Sequence, residues 1–127
     1  MANLGPRNIS VGHLLHYRFP ITAIASILHR ISGVILFLFI PFLLWVLDLS
    51  LRANQSFANL VLHFQNGFVR FFLWVFLSAL IYHFLAGIKH LFMDMGYFEK
   101  MCSGKAASMV VIIVSIVLII ALGVWLW

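Results

Sequence analysis

Acidic residues are nearly missing from this chain: Asp48, Asp94 and Glu99 are the only three among 127 residues. Charged residues of either sign make up 9% and hydrophobic ones 65%, against an ordinary soluble balance of about half apolar and a quarter charged. So few polar groups cannot clothe a water-soluble globule, and the surplus apolar surface must face lipid. Cysteine is scarcer still. The single Cys102 excludes an intrachain disulfide, and the lack of any C-x-x-C-H sequence excludes covalent attachment of a c-type haem. The first twenty residues lack the short apolar core and small-residue cleavage site of a signal peptide, so insertion is expected to rely on the helices themselves.

What is present is long apolar runs, and they predict an all-α integral membrane domain of three spans over residues 1–127. After a polar tail, 1–20, the first helix is expected over about 21–51, the second over about 68–93 and the third over about 106–127. Pro20 suits a first helical turn, while Pro41 falls inside the first span and predicts a kink. Between the first two spans, Phe57, Leu60, Val61 and Phe64 recur at helical spacing, which predicts a short interfacial helix.

The basic residues set an orientation. Arg7, Arg18, Arg30, Lys89, Lys100 and Lys105 belong to the N-terminal tail, the second loop and the spans adjoining them, and only Arg52 and Arg70 to the first loop region. Six against two predicts a cytoplasmic N-terminus, with lipid headgroups rather than nucleic acid as the partners of the net +5 charge. On that orientation His29 and Arg30 lie about 12 to 15 Å along the first helix, at about 1.5 Å per residue. His83 lies at a similar depth on the returning helix, so ionisable groups of two helices are expected to converge in one leaflet.

A charged group inside hydrocarbon costs roughly 3 kcal/mol on insertion scales and normally faces a protein interior, a cavity or a cofactor. Ser26, His29, Arg30 and Gly33 fall at i, i+3, i+4 and i+7, one stripe able to hold a polar ligand. The alternative is that Arg30 snorkels to the headgroups and Ser26 bonds its own helix. His83 is the deepest titratable group of the second span and suits axial ligation of haem iron; a hydrogen-bonded packing histidine is the other reading. Gly87, one turn on, leaves room for a flat macrocycle. His83 and His90 cannot share one iron, since they stand about 10 Å apart along one helix face whereas opposed axial nitrogens at ~2 Å metal distances are about 4 Å apart. The second ligand must come from another helix, either His29 or a partner chain. Asp94 can orient His90, admit protons or serve as an interfacial charge.

Two segments carry a resemblance. RFPITAIASILHRISG, from Arg18 to Gly33, follows the pattern S-x-x-H-R-x-S-G, and YHFLAGIKHLFMDMGY, from Tyr82 to Tyr97, follows H-x-x-x-G-x-[RK]-H-x-x-x-D. Together they resemble the cytochrome b membrane-anchor subunit of bacterial succinate dehydrogenase, respiratory complex II. The resemblance covers about a quarter of the chain; Lys89 stands where the family usually has Arg, and the family's N-terminal R-P-x-S-P-H-L pattern is altered around Arg7 and His13.

The resemblance implies that His83 is an axial ligand of haem b and that the other ligand is a histidine of a second three-helix anchor subunit. It implies that His29 and His90 lie near the haem propionates, and that Ser26 and Arg30 line a ubiquinone site. The expected whole is a six-helix heterodimeric bundle in the bacterial inner membrane that anchors an iron–sulfur and a flavoprotein subunit, passing electrons from succinate to ubiquinone without being catalytic alone. Three rival readings stand beside it: a fumarate reductase anchor, a haem-free structural anchor and a small proton-conducting protein.

Overall fold

The computed structural model describes residues 19–98 and 100–127; the altered tail around Arg7 and His13, and Glu99, lie outside the described residues. Four helices follow in order: α1 (Ile21–Arg52), α2 (Asn54–His63), α3 (Gly67–Asp94) and α4 (Met101–Leu126). There is no strand among the described residues. α1, α3 and α4 are each long and apolar enough to cross a membrane. At about 1.5 Å per residue the 32 residues of α1 reach about 48 Å, well beyond the ~30 Å hydrocarbon core, so its ends lie among headgroups.

Local chemistry sets the boundaries. The carbonyl of Pro20, the N-cap of α1, accepts from the amides of Ala23 and Ile24 at 2.9 and 3.2 Å. α1 then runs without a break through Pro41 and stops at Ala53, whose backbone is extended, just after an exposed Arg52–Asp48 ion pair in its last turns. The amphipathic stretch in the first loop forms α2, which packs on α1. Asn66 caps α3, its side-chain oxygen accepting from the Phe68 amide at 2.9 Å. At the other end, the Tyr97 amide bonds the Phe92 carbonyl and the Gly96 amide bonds that of Met93. With Gly96 at φ 86, this is the left-handed stop that closes many helices, and the Phe92 and Tyr97 rings meet edge-on at 6.1 Å as its apolar clasp. α4 begins at Met101, ahead of the apolar run that starts at Ala106, because Lys100 in extended conformation starts the helix before the sequence turns hydrophobic.

The three spans pack through small residues, as membrane helices do when lipid offers no hydrophobic gain for burying large ones. Ala25 and Ser32 of α1, Ala79 and Ala86 of α3, and Gly104, Ser108 and Ser115 of α4 are buried, joined by Tyr82 and Lys89. Each buried serine returns its hydroxyl to its own helix: Ser32 to His29 O, Ser108 to Gly104 O and Ser115 to Val111 O. At one end of the α3–α4 seam, Trp74 Nε1 donates to the Ile119 carbonyl at 3.2 Å while its ring occupies the space that a Cβ on Gly123 would fill. Large apolar side chains such as Phe37, Leu38, Val124 and Trp125 point outward.

Candidate functional site

His83 packs against α1 at Gly33 and Ser32. Gly33 makes this approach possible, since a Cβ there would stand 3.1 Å from His83 Cε1. The imidazole Nδ1 is 3.1 Å from Ser32 Oγ and 3.2 Å from the His29 carbonyl oxygen. Counting protons settles its role: the single hydroxyl proton of Ser32 is given to the His29 carbonyl at 2.8 Å, so both neighbours of Nδ1 are acceptors. Nδ1 therefore carries the proton and donates it to this pair. Nε2 is left with a free lone pair and no hydrogen-bond partner among the described residues. A histidine held through Nδ1–H by a backbone carbonyl, with Nε2 open, is the arrangement in which imidazole binds a metal. One residue before, Tyr82 donates its hydroxyl to the Ala25 carbonyl at 2.9 Å, which fixes the register of α3 against α1.

The convergence expected of two helices at one depth is present. The His29 ring stacks on His83, with centroids 4.2 Å apart and planes at 21°, and is tilted against His90 at 5.1 Å. It sits over Gly87, whose Cβ would be 3.9 Å from His29 Nε2. The ring of His29 thus borders the space at Gly87 that the sequence assigns to a flat macrocycle. Stacked rings present their faces to each other, so His29 and His83 in this arrangement cannot clasp one iron between opposed nitrogens. His29 Nε2 is buried and has no hydrogen-bond partner among the described residues. An unmet imidazole nitrogen in an apolar setting carries a desolvation cost that a polar ligand group would offset.

The stripe of Ser26, His29, Arg30 and Gly33 divides in two. His29 and Gly33 face α3, while Ser26 is half-buried and Arg30 is exposed. The reason is helical geometry: Arg30 lies about 100° round the axis from His29, so packing one against α3 turns the other outward. Neither Ser26 nor Arg30 has a hydrogen-bond or ion-pair partner among the described residues. Among the described residues they form an open hydroxyl and guanidinium face beside the histidines. Asp94 is exposed and makes no hydrogen bond to His90 among the described residues. Lys89, which flanks the second span in sequence, is buried.

Residues 6–122, a range that holds both motifs, match the model of the succinate dehydrogenase/fumarate reductase transmembrane subunit. The chain belongs to this family. Among its relatives are the succinate dehydrogenase cytochrome b556 subunit of Coxiella burnetii, 40% identical over 90% of this chain and 92% of the relative, and that of Paracoccus denitrificans, 37% identical over 91% and 88%. The subunit of the same name from Rickettsia typhi is 35% identical over 88% and 87%. The resemblance read from the two motifs thus extends across nearly the whole length. As a family member the chain is a multi-pass membrane anchor and a component of the succinate dehydrogenase complex.

Ser32 and Tyr82 are the residues that sequence reasoning passed over. Both stand inside the recognised segments, yet their value comes from contacts across α1 and α3 that spacing along one helix does not reveal. The signal available was Ser32 itself, a hydroxyl beside Gly33 in a span otherwise poor in polar groups.

Proposed function

We propose that this chain is the haem b-binding anchor subunit of a bacterial succinate dehydrogenase and that it helps pass electrons from the iron–sulfur subunit to ubiquinone. The observation that carries the reading is His83, with Nδ1–H held by Ser32 and the His29 carbonyl and Nε2 free. The residues fit the group: Nε2 of His83 would ligate the iron, and the unmet Nε2 of His29, with His90 beside it, would meet propionate oxygens. When bound, the haem supplies a one-electron carrier within the membrane. Because His29 stacks on His83 and cannot oppose it, the second axial ligand would come from a second three-helix anchor subunit, giving a six-helix bundle in the inner membrane. The iron–sulfur and flavoprotein subunits would dock on its cytoplasmic side, where the excess of basic residues places the N-terminus.

Ser26 and Arg30 would serve ubiquinone. The Ser26 hydroxyl would hydrogen-bond one quinone oxygen, and the Arg30 guanidinium would stabilise negative charge arriving on the ring. Their face, open among the described residues, suits a pocket completed by the iron–sulfur and second anchor subunits. A haem-free anchor would leave both the His83 lone pair and the His29 nitrogen without a role, which disfavours it.

Two measurements test this function. Affinity purification of the full chain should recover flavin and iron–sulfur centres together with a haem b spectrum; a chain that purifies with none of them overturns the assignment. In the assembled complex, Arg30→Ala should lower quinone reduction by about 10²-fold or more, the loss typical of one charge-stabilising donor. Succinate oxidation by an artificial acceptor should persist, and equal loss of both would remove the quinone role.

A further inference from the structure

Tyr82 and His83 are consecutive residues of α3, and both reach across to main-chain carbonyls of α1. Tyr82 is buried and donates its hydroxyl to the Ala25 carbonyl at 2.9 Å. His83 Nδ1 lies 3.2 Å from the His29 carbonyl, one turn further along α1. In an unbroken helix each of these carbonyls already accepts the amide four residues on, so α3 takes the second lone pair of each. The two contacts stand about 6 Å apart along α1, at about 1.5 Å per residue. One contact alone would leave a pivot; two, a turn apart, hold α1 against both sliding and rotation.

The two carbonyls belong to the peptide groups that lead into Ser26 and Arg30. A peptide group is planar and stiff, so fixing its carbonyl oxygen also fixes the Cα that follows. The Tyr82 hydroxyl therefore places the Cα of Ser26, as the His83 imidazole places that of Arg30. Neither Ser26 nor Arg30 has a side-chain partner among the described residues, so their spacing is set through the backbone. Ala25 is itself buried, which keeps water from taking over its carbonyl if the hydroxyl is lost. Without that hydroxyl the contact at His29 remains. Ser26 is then released while His83 keeps its own partners.

Given the quinone role proposed for Ser26 and Arg30, on which this rests, we infer that Tyr82 is a positioning residue for ubiquinone. Its hydroxyl holds the Ser26 hydroxyl at the spacing from Arg30 that the quinone head requires, and it acts through the peptide between Ala25 and Ser26.

The test is steady-state reduction of a short-chain ubiquinone by the assembled complex, with KM and kcat read separately for Tyr82→Phe, Ser26→Ala and the double variant. Tyr82→Phe should raise KM about five-fold, the shift carried by one ordinary hydrogen bond, and leave kcat and the haem spectrum close to wild type. Because the hydroxyl acts through Ser26, the double variant should show the KM of Ser26→Ala alone. Trp74→Phe removes a cross-helix hydrogen bond of similar length from the α3–α4 seam and should leave KM unchanged. An unchanged KM in Tyr82→Phe overturns the inference. So does a double variant whose rise is the product of the two single rises, which would make Tyr82 and Ser26 independent. An equal rise in Trp74→Phe would reduce the effect to general loosening of the bundle and overturns it as well. Tyr82→Phe keeps the ring and loses one oxygen; failure of this variant to assemble would make the hydroxyl a strut of the fold and also count against the inference. Arg30→Ala in the same assay separates the two readings: unimpaired quinone reduction there would refute the quinone role itself, whereas an impaired Arg30→Ala beside a wild-type KM in Tyr82→Phe would refute only the positioning.

Discussion

At His83 the two sides of the ring are treated differently, and that asymmetry can be tested residue by residue. Ser32→Ala removes one of two acceptors for Nδ1–H and should cost about 1 kcal/mol, because the His29 carbonyl remains. The expected result is a complex that keeps its haem but shows a shifted midpoint potential on redox titration, since the hydrogen bond to a ligand tunes its basicity. Unchanged potential would mean that Ser32 does not touch the ligand's electronics. The glycines give a sharper contrast. Gly33→Ala would put a Cβ 3.1 Å from His83 Cε1 and push the ring, whereas Gly87→Ala would meet His29 Nε2 at an ordinary 3.9 Å. Gly33→Ala should therefore reduce haem per complex, by pyridine haemochrome assay, far more than Gly87→Ala does. The reverse order would show that the macrocycle, rather than His29, needs the space at Gly87. Sequence spacing picked out His29 and His83, since an imidazole in an apolar span is conspicuous. It did not reveal that the ring of His29 lies over Gly87, because that depends on how deeply α1 and α3 interlock.

At the scale of the helix, the spans were legible because hydropathy alone locates them; residues where the chain leaves or enters the bilayer were less so. α4 starts at Met101 within a polar stretch, and the stop after α3 depends on Gly96 adopting φ 86, neither of which hydropathy reports. The seam between α3 and α4 was not visible at all. Ser108, Ser115 and Gly123 look like incidental small residues in an apolar run, and only a neighbouring helix gives them meaning. Gly123→Val should force Trp74 from its place and break its bond to the Ile119 carbonyl, with an overpacking cost of about 1–3 kcal/mol. A lowered thermal midpoint of the detergent-solubilised complex, with haem content retained, is the expected outcome. An unaltered midpoint would show that the Trp74 contact contributes little to holding α3 and α4 together.

Over the molecule as a whole, the three spans bury small residues among themselves and leave large aromatic and aliphatic side chains outside, some to lipid and some to partners. On the proposed function, a single chain so arranged would offer one face of a haem site and the Ser26 and Arg30 side of a quinone site. Membership of the succinate dehydrogenase/fumarate reductase transmembrane family makes the chain one component of a larger complex, from whose other subunits the remainder would come. The account stands on His83 as the chain's one axial ligand, with His29 as a neighbour that cannot replace it. Low-temperature EPR and reduced-minus-oxidised spectra of the intact complex carrying either His83→Leu or His29→Leu test this directly. The account predicts that His83→Leu abolishes the low-spin ferric signal of bis-histidine haem, while His29→Leu keeps that signal with altered haem retention or potential. A low-spin signal that survives His83→Leu and disappears with His29→Leu would contradict it.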